Sequence, residues 1–172
     1  MITIVSGTNR KNSNSSKLAR YYLECLDEKG VEAQIFDLAN LSSDFMKAEM
    51  YGNRTPAFEK EIDTFFTQAD KWIFVFPEYN GGFPGALKLM IDAIDPKVFH
   101  GKRVALTGLS AGHAGNLRGL DHMTGVLHYL QAEVLSDKPK FSQFHTLLLE
   151  EGGFDETLIK RVNKQIEKLL NF

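Results

Sequence analysis

Apolar residues recur along this chain in two alternating rhythms. Ile2, Ile4 and Val5 form a short apolar run, and a polar stretch from Ser6 to Ser16 follows. Leu18, Tyr22, Cys25, Leu26 and Lys29 then return at helical spacing, closed by Gly30. Val31 to Leu38 reads as a second strand, with Val31, Ala33 and Ile35 alternating against Glu32 and Gln34 before Phe36. Leu41 to Thr55 is mixed, with Met46, Met50 and Tyr51, and reads as a long loop or short helical turns. Pro56 to Gln68 predicts a helix with Phe58, Ile62, Phe65 and Phe66 inward. Trp72-Ile73-Phe74-Val75-Phe76 is unbroken and apolar, which fits a strand buried on both faces. Leu87, Met90, Ile91 and Ile94 predict the next helix, ending near Asp95-Pro96. Lys102 to Leu109 predicts a fourth strand, and Leu120, Met123, Leu127 and Leu130 a helix after it. Glu133-Val134-Leu135 is a short fifth strand, interrupted at Asp137-Lys138-Pro139, and the stretch to Gly153 carries no clear rhythm. Phe154 to Leu170 closes the pattern as a helix with Leu158, Val162, Ile166 and Leu169 inward.

Five alternations of strand and helix predict an α/β fold: a parallel sheet with helices on both faces and right-handed crossovers. At 172 residues the expectation is one domain, residues 1–172, in the flavodoxin-like strand order 2-1-3-4-5. The switch point of that order lies between the first and third strands. The loops after strands one, three and four converge there, and ligands of open α/β sheets bind at that end.

Composition narrows the function classes. Net charge is −2 with no basic stripe, so nucleic acid and anionic membrane are not expected partners. No apolar stretch approaches the length of a transmembrane helix, and no charged segment with an apolar core opens the chain. With Cys25 as the single cysteine, no intrachain disulfide can form, and a cytoplasmic setting is expected. The histidines show no metal-ligand spacing, so no metal is expected, and His113 is expected to be the only imidazole near the site.

The three convergent loops carry the candidate chemistry. In the first, Thr8, Ser13, Ser15 and Ser16 offer hydroxyls and Arg10 offers a fork for phosphate oxygens, ahead of a helix N-terminus. Ser13, Asn14 and Ser15 are also good helix caps, but a cap needs only one of them. The loop lacks the Gly-x-x-x-x-Gly-Lys-Ser/Thr pattern of P-loop NTPases, and no strand precedes a Gly-x-Gly-x-x-Gly fingerprint. Cys25 lies in the helix, so the loop has no cysteine nucleophile for a phosphatase of similar topology. What remains is a phosphate-bearing cofactor other than a nucleoside triphosphate. The second loop, Pro77 to Lys88, holds Glu78, Tyr79 and Asn80 beside Gly81, Gly82 and Gly85, which let the backbone approach a flat ligand. The third, Ser110 to Gly115, is small, with Gly112 and Gly115 able to lie against a ring.

Gly7-Thr8-Asn9-Arg10-Lys11-Asn12-Ser13-Asn14-Ser15 is similar to the Gly-Ser-x-Arg-x-x-Ser-x-Asn phosphate loop of the NADPH-dependent FMN reductase family. Pro77-Glu78-Tyr79-Asn80-Gly81-Gly82-Phe83-Pro84-Gly85-Ala86-Leu87-Lys88 resembles that family's second signature, and Gly108 to Gly119, with Arg118, its third. The chain departs from the pattern at Thr8, where the family has Ser, and at Ser15, where it has Asn. The resemblance implies FMN, its phosphate held by Thr8, Arg10, Ser13 and Ser15. It implies that Pro77, Glu78, Tyr79, Asn80 and Gly81 line the isoalloxazine ring, with Ser110 and Gly112 near its other side. It further implies an NAD(P)H-dependent oxidoreductase that passes electrons to a small acceptor such as a quinone, free flavin, azo compound or chromate. NADPH or NADH is the co-substrate, and the family is commonly dimeric. A flavodoxin-type electron carrier docking on protein partners is the alternative. No acid–base pair stands in the loops, so no catalytic residue is assigned. Met46, Met50, Tyr51, Phe83 and Phe99 are apolar residues in or beside loops and are expected at a homodimer or higher-oligomer seam, with the flavin nearby.

Overall fold

The computed structural model describes residues 1–172. Its centre is β3 (Lys71–Pro77), whose two faces are both apolar. Trp72, Phe74 and Phe76 point to one side, Ile73 and Val75 to the other, and all five are fully buried. A strand that must hide both faces belongs inside a sheet covered by helices on each side. β3 is flanked by β1 (Ile2–Ser6) and β4 (Arg103–Leu109), with β2 (Ala33–Asp37) outside β1. The order is β2-β1-β3-β4-β5, with every pair parallel.

The fifth position is shared by two short pieces. β5 (Glu133–Val134) pairs with the start of β4, and β6 (Lys140–Phe141) with its end. The interruption falls at Asp137-Lys138-Pro139. The Asp137 carbonyl accepts from Gln165 Nε2 at 3.1 Å, and its carboxylate pairs with Arg161 and Lys168. These bonds draw the segment toward the last helix, and Pro139 has no N–H to offer a ladder.

Helices α1 (Asn14–Asp27) and α6 (Glu156–Leu170) cover one face. The other is covered by α3 (Pro56–Ile62, continued by a π turn to Thr67), α4 (Gly85–Ala93) and α5 (Leu117–Tyr129). A single-turn α2 (Phe45–Ala48) lies in the mixed stretch, where short helical turns were one expectation. Each helix buries the stripe its spacing predicts, with three exceptions, the first being Phe65, which is only half-buried. Lys29 lies beyond the end of α1 and is exposed, and Leu130 is only half-buried. Cys25 is buried, and burial raises its thiol pKa, so it is core rather than chemistry.

Beneath the site a polar hub joins three elements. The Tyr22 hydroxyl donates to Gln165 Oε1 at 2.6 Å, Thr107 Oγ1 donates to the same oxygen at 2.9 Å, and Gln165 Nε2 donates to the Leu106 carbonyl at 2.9 Å. A buried polar group costs free energy unless bonded, so this satisfied set fixes the register of α1 and α6 against β4.

Candidate functional site

All three loops open at the carboxyl end of the sheet, as the strand order requires. Loop 1 runs from Gly7 to α1. The Ser13 hydroxyl caps α1 by accepting from the Ser16 N–H at 3.1 Å, so the capping role belongs to that residue. Ser16 is occupied differently, its hydroxyl donating to the Asp37 carboxylate at 3.1 Å. The N–H groups of Asn14 and Ser15 remain without protein acceptors, as expected of a first helical turn. The Ser15 hydroxyl is fully buried and has no partner. Arg10 and Lys11 are exposed and make no ion pair.

Loop 2 is a hairpin at its tip. Tyr79 and Gly82 exchange backbone hydrogen bonds at 2.9 and 3.1 Å around Asn80 (φ 52°) and Gly81 (φ 80°). Positive φ at both central positions marks the two-residue Asn-Gly turn. That dipeptide is a turn signal legible in the sequence, so the glycines of this loop shape the chain as well as leaving room for a ligand. Three bonds anchor the loop. The Glu78 N–H donates to the Leu109 carbonyl at 2.8 Å, and the Asn116 N–H donates to Glu78 Oε2 at 3.1 Å. The Tyr79 and Thr8 hydroxyls share a hydrogen bond at 2.9 Å, tying loop 2 to loop 1.

Loop 3 is held by its own serine. Ser110 Oγ donates to the Gly112 carbonyl at 2.8 Å and accepts from the Gly115 N–H at 2.9 Å. From outside, the Gln143 N–H donates to the Gly112 carbonyl and the Phe144 N–H to the Ser110 carbonyl. Residues 140–147, which carry no clear rhythm in the sequence, therefore form the outer wall of loop 3.

Two hollows lie among these loops. One, of about 400 Å³, runs between loop 1 and loop 3 and is lined by Arg10, Ser13, Pro77, Glu78, Tyr79 and Ser110. Its other lining residues include Lys11, Asn12 and Asn14 of the phosphate-loop stretch, to which the sequence assigns no ligand contact, and Phe144 and His145, which the sequence does not single out. The second, of about 310 Å³, lies between the loop 2 tip and loop 3 and is lined by Glu78, Asn80, Gly81, Ser110, Gly112 and His113. Glu78, Ser110 and Ala111 line both, so the two hollows meet. Nine of the eleven residues expected at the site line one or both. Thr8 and Ser15 do not; both are fully buried behind loop 1. The Thr8 hydroxyl is engaged by Tyr79 and by the Arg10 N–H. His113 is not the sole imidazole at the site, since His145 lines the first hollow.

The donor set fits a phosphomonoester on a flat, polar-edged ring. Arg10 and two free helix N–H groups stand at one end, with the partnerless Ser15 hydroxyl buried behind them. Glycine-rich backbone stands at the other. A larger hollow of about 560 Å³ lies elsewhere, between α4 and α5, and is lined by Ile91, Ile94, Val126, Tyr129 and Leu130 among others. It shares no lining residue with the two hollows among the loops, and its lysine, Lys88, is paired with Asp92.

The chain is 32% identical over 115 residues to the FMN-dependent NADPH-azoreductase of Staphylococcus aureus, a match spanning 63% of this chain and 60% of that relative. The fold is shared with FerB, a flavoenzyme NAD(P)H:(acceptor) oxidoreductase from Paracoccus denitrificans (TM-score 0.79, 20% identity, 99% of this chain and 94% of that one). It is also shared with the apo form of an NADH:FMN oxidoreductase (TM-score 0.77, 22% identity, 98% and 87%). The family model for NADPH-dependent FMN reductases matches residues 1–146, a span that holds all three loops, and the chain belongs to that family.

Proposed function

We propose that residues 1–172 form one FMN-binding domain that oxidises NADPH or NADH and passes the electrons to a small acceptor: a quinone, free flavin, azo compound or chromate. The observation that carries this reading is the set of unpartnered donors at the start of α1, beside the first hollow: the Arg10 guanidinium and the N–H groups of Asn14 and Ser15. Bound FMN would supply the hydride-accepting ring. The chain's own residues bind and orient it. Arg10 and the α1 N-terminus take the phosphate by charge-assisted bonds and the helix dipole. Ser13 keeps its cap and holds that turn in shape, while Thr8 holds Tyr79. The Asn80-Gly81 turn and the Ser110–Gly112 loop offer backbone to the ring's edges, where hydride transfer from a nicotinamide builds negative charge. Glu78 spends one oxygen on Asn116 and has the other free toward the junction of the hollows, a position suited to a ligand hydroxyl. No protein acid or base is required for hydride transfer, and the residues at this junction hold geometry instead.

Arg10→Ala tests the assignment. It should weaken FMN binding about ten- to hundred-fold, the cost of one charge-assisted hydrogen bond, and leave riboflavin binding nearly unchanged. Titration of both flavins by fluorescence quenching reads this directly, and equal losses would remove Arg10 from the phosphate. Anaerobic bleaching of the wild-type flavin band by NADPH or NADH then tests the activity. A bound flavin that neither nucleotide bleaches would favour the electron-carrier alternative.

A homodimer is part of the same proposal, but its seam differs from the one expected from sequence. Met50 and Phe99 are core residues, and Phe83 is half-buried, its ring tilted against His122 with centroids 4.8 Å apart. Met46 and Tyr51 alone of that set are exposed. The apolar hollow between α4 and α5, with Tyr129 87% exposed beside it, is the better surface for a second copy. Light scattering should return about twice the 19.4 kDa chain mass at micromolar concentration, and the single-chain mass would contradict it. A cytoplasmic setting fits a single, buried cysteine and a reductant of this class. No helix is long and apolar enough to cross a membrane.

A further inference from the structure

Asn116 stands between loop 3 and α5 and has no accessible surface. It adopts the left-handed conformation, φ 66°, which is unfavourable for a residue with a side chain. Its donor bonds both lead out of that segment. The backbone N–H donates to Glu78 Oε2 at 3.1 Å, and Nδ2 donates to the Phe76 carbonyl at 3.1 Å. Phe76 is the last fully buried residue of β3, and Glu78 is the root of loop 2.

The carboxamide is also clamped sterically. A Cβ placed on Gly119 would lie 2.1 Å from Asn116 Oδ1, and one placed on Gly108 would lie 3.0 Å from Asn116 Cβ. Two glycines thus make the slot that this side chain fills. Its Oδ1 is buried there without a partner, so satisfaction of its own polar atoms does not explain the residue. What the slot achieves is a fixed spacing between loop 2 and loop 3.

We propose that Asn116 is a positioning residue for the flavin ring. Through Phe76 and Glu78 it sets the separation of the two loops that take the ring's edges, and it fixes where the Glu78 carboxylate stands between the hollows. The inference rests on the FMN reading above. Removing the carboxamide should therefore act on the ring and not on the phosphate.

Asn116→Gly keeps the left-handed backbone and the N–H to Glu78 while deleting the side chain. Asn116→Asp keeps the shape and replaces the Nδ2 donor with an acceptor, so it carries the test if the glycine variant fails to fold. Three measurements are made on the full chain. In ligand-free protein, amide exchange at residues 78–82 should rise about tenfold or more while β1 and β2 stay protected. FMN and riboflavin should lose affinity by the same factor, about tenfold or more, because the defect is at the ring. If oxidised and reduced flavin are affected unequally, the midpoint potential moves by about 30 mV for each tenfold difference, and Arg10→Ala should leave it in place. Unchanged exchange with unchanged affinities would overturn the proposal, as would a loss confined to FMN. Raised exchange at loop 2 in a protein that binds neither flavin would keep the positioning of the loop and sink the cofactor reading instead.

Discussion

Trp72→Ala should cost about 3–5 kcal/mol of folding stability, a large share of the roughly 5–15 kcal/mol that a domain commands. The indole is fully buried on β3 and meets Phe99 at 5.3 Å, Phe66 at 5.6 Å and Phe74 at 6.3 Å, all edge-on. These neighbours come from three separate elements, so the surroundings cannot collapse together into the space. The Lys102 ammonium lies 5.7 Å over the same ring and would lose its contact. Nε1 of Trp72 has no hydrogen-bond partner, which supplies a control. Trp72→Phe removes that buried donor and leaves most of the packing, so its cost should stay below about 1.5 kcal/mol. Urea denaturation followed by circular dichroism measures both. Equal losses for the two variants would mean that ring volume is not what the site needs. Trp72 lies at the far end of β3 from Pro77, so the fraction that stays folded should bind flavin normally.

Gly108→Ala should instead damage stability and site together. A Cβ there would stand 2.7 Å from the Gly115 carbonyl oxygen, 2.9 Å from a Leu120 methyl and 3.0 Å from Asn116 Cβ. The nearest of these is backbone, so relief requires moving the loop 3 chain. Overpacking of this kind costs about 1–3 kcal/mol, and here the displaced segment is one wall of the candidate site. The expected result is a lowered urea midpoint accompanied by weaker binding of both flavins in the folded fraction. A destabilised variant that binds FMN with wild-type affinity would show that loop 3 does not take the ring. The contrast with Trp72→Ala matters, since both variants lose stability but only Gly108→Ala should lose affinity per folded molecule.

Much of this architecture is written locally. The unbroken run from Trp72 to Phe76 demands cover on two faces, and alternation of strand and helix then leaves a parallel sheet as the economical arrangement. The right-handed crossover rule narrows the strand orders, and the flavodoxin-like order that five strands at this length fit brings the three loops together at its switch point. Local chemistry likewise determines the Ser13 cap, the donors around Arg10 and the glycines of loop 2. Tertiary structure decided what depends on distant residues meeting. Met50 and Phe99 look like loop residues to a periodicity argument, yet both are buried, because turns this short carry no detectable period. Phe144 and His145 reach the site only because β6 pairs with the end of β4, a two-residue strand too short to announce itself. Asn116 reads as an ordinary loop asparagine until Gly108, Gly119, Phe76 and Glu78 are brought around it. The sequence determined which groups could bind a phosphate and a flat ring; the packing of separate segments determined which of them face the hollows and which, like Thr8, stand behind to hold the others in place.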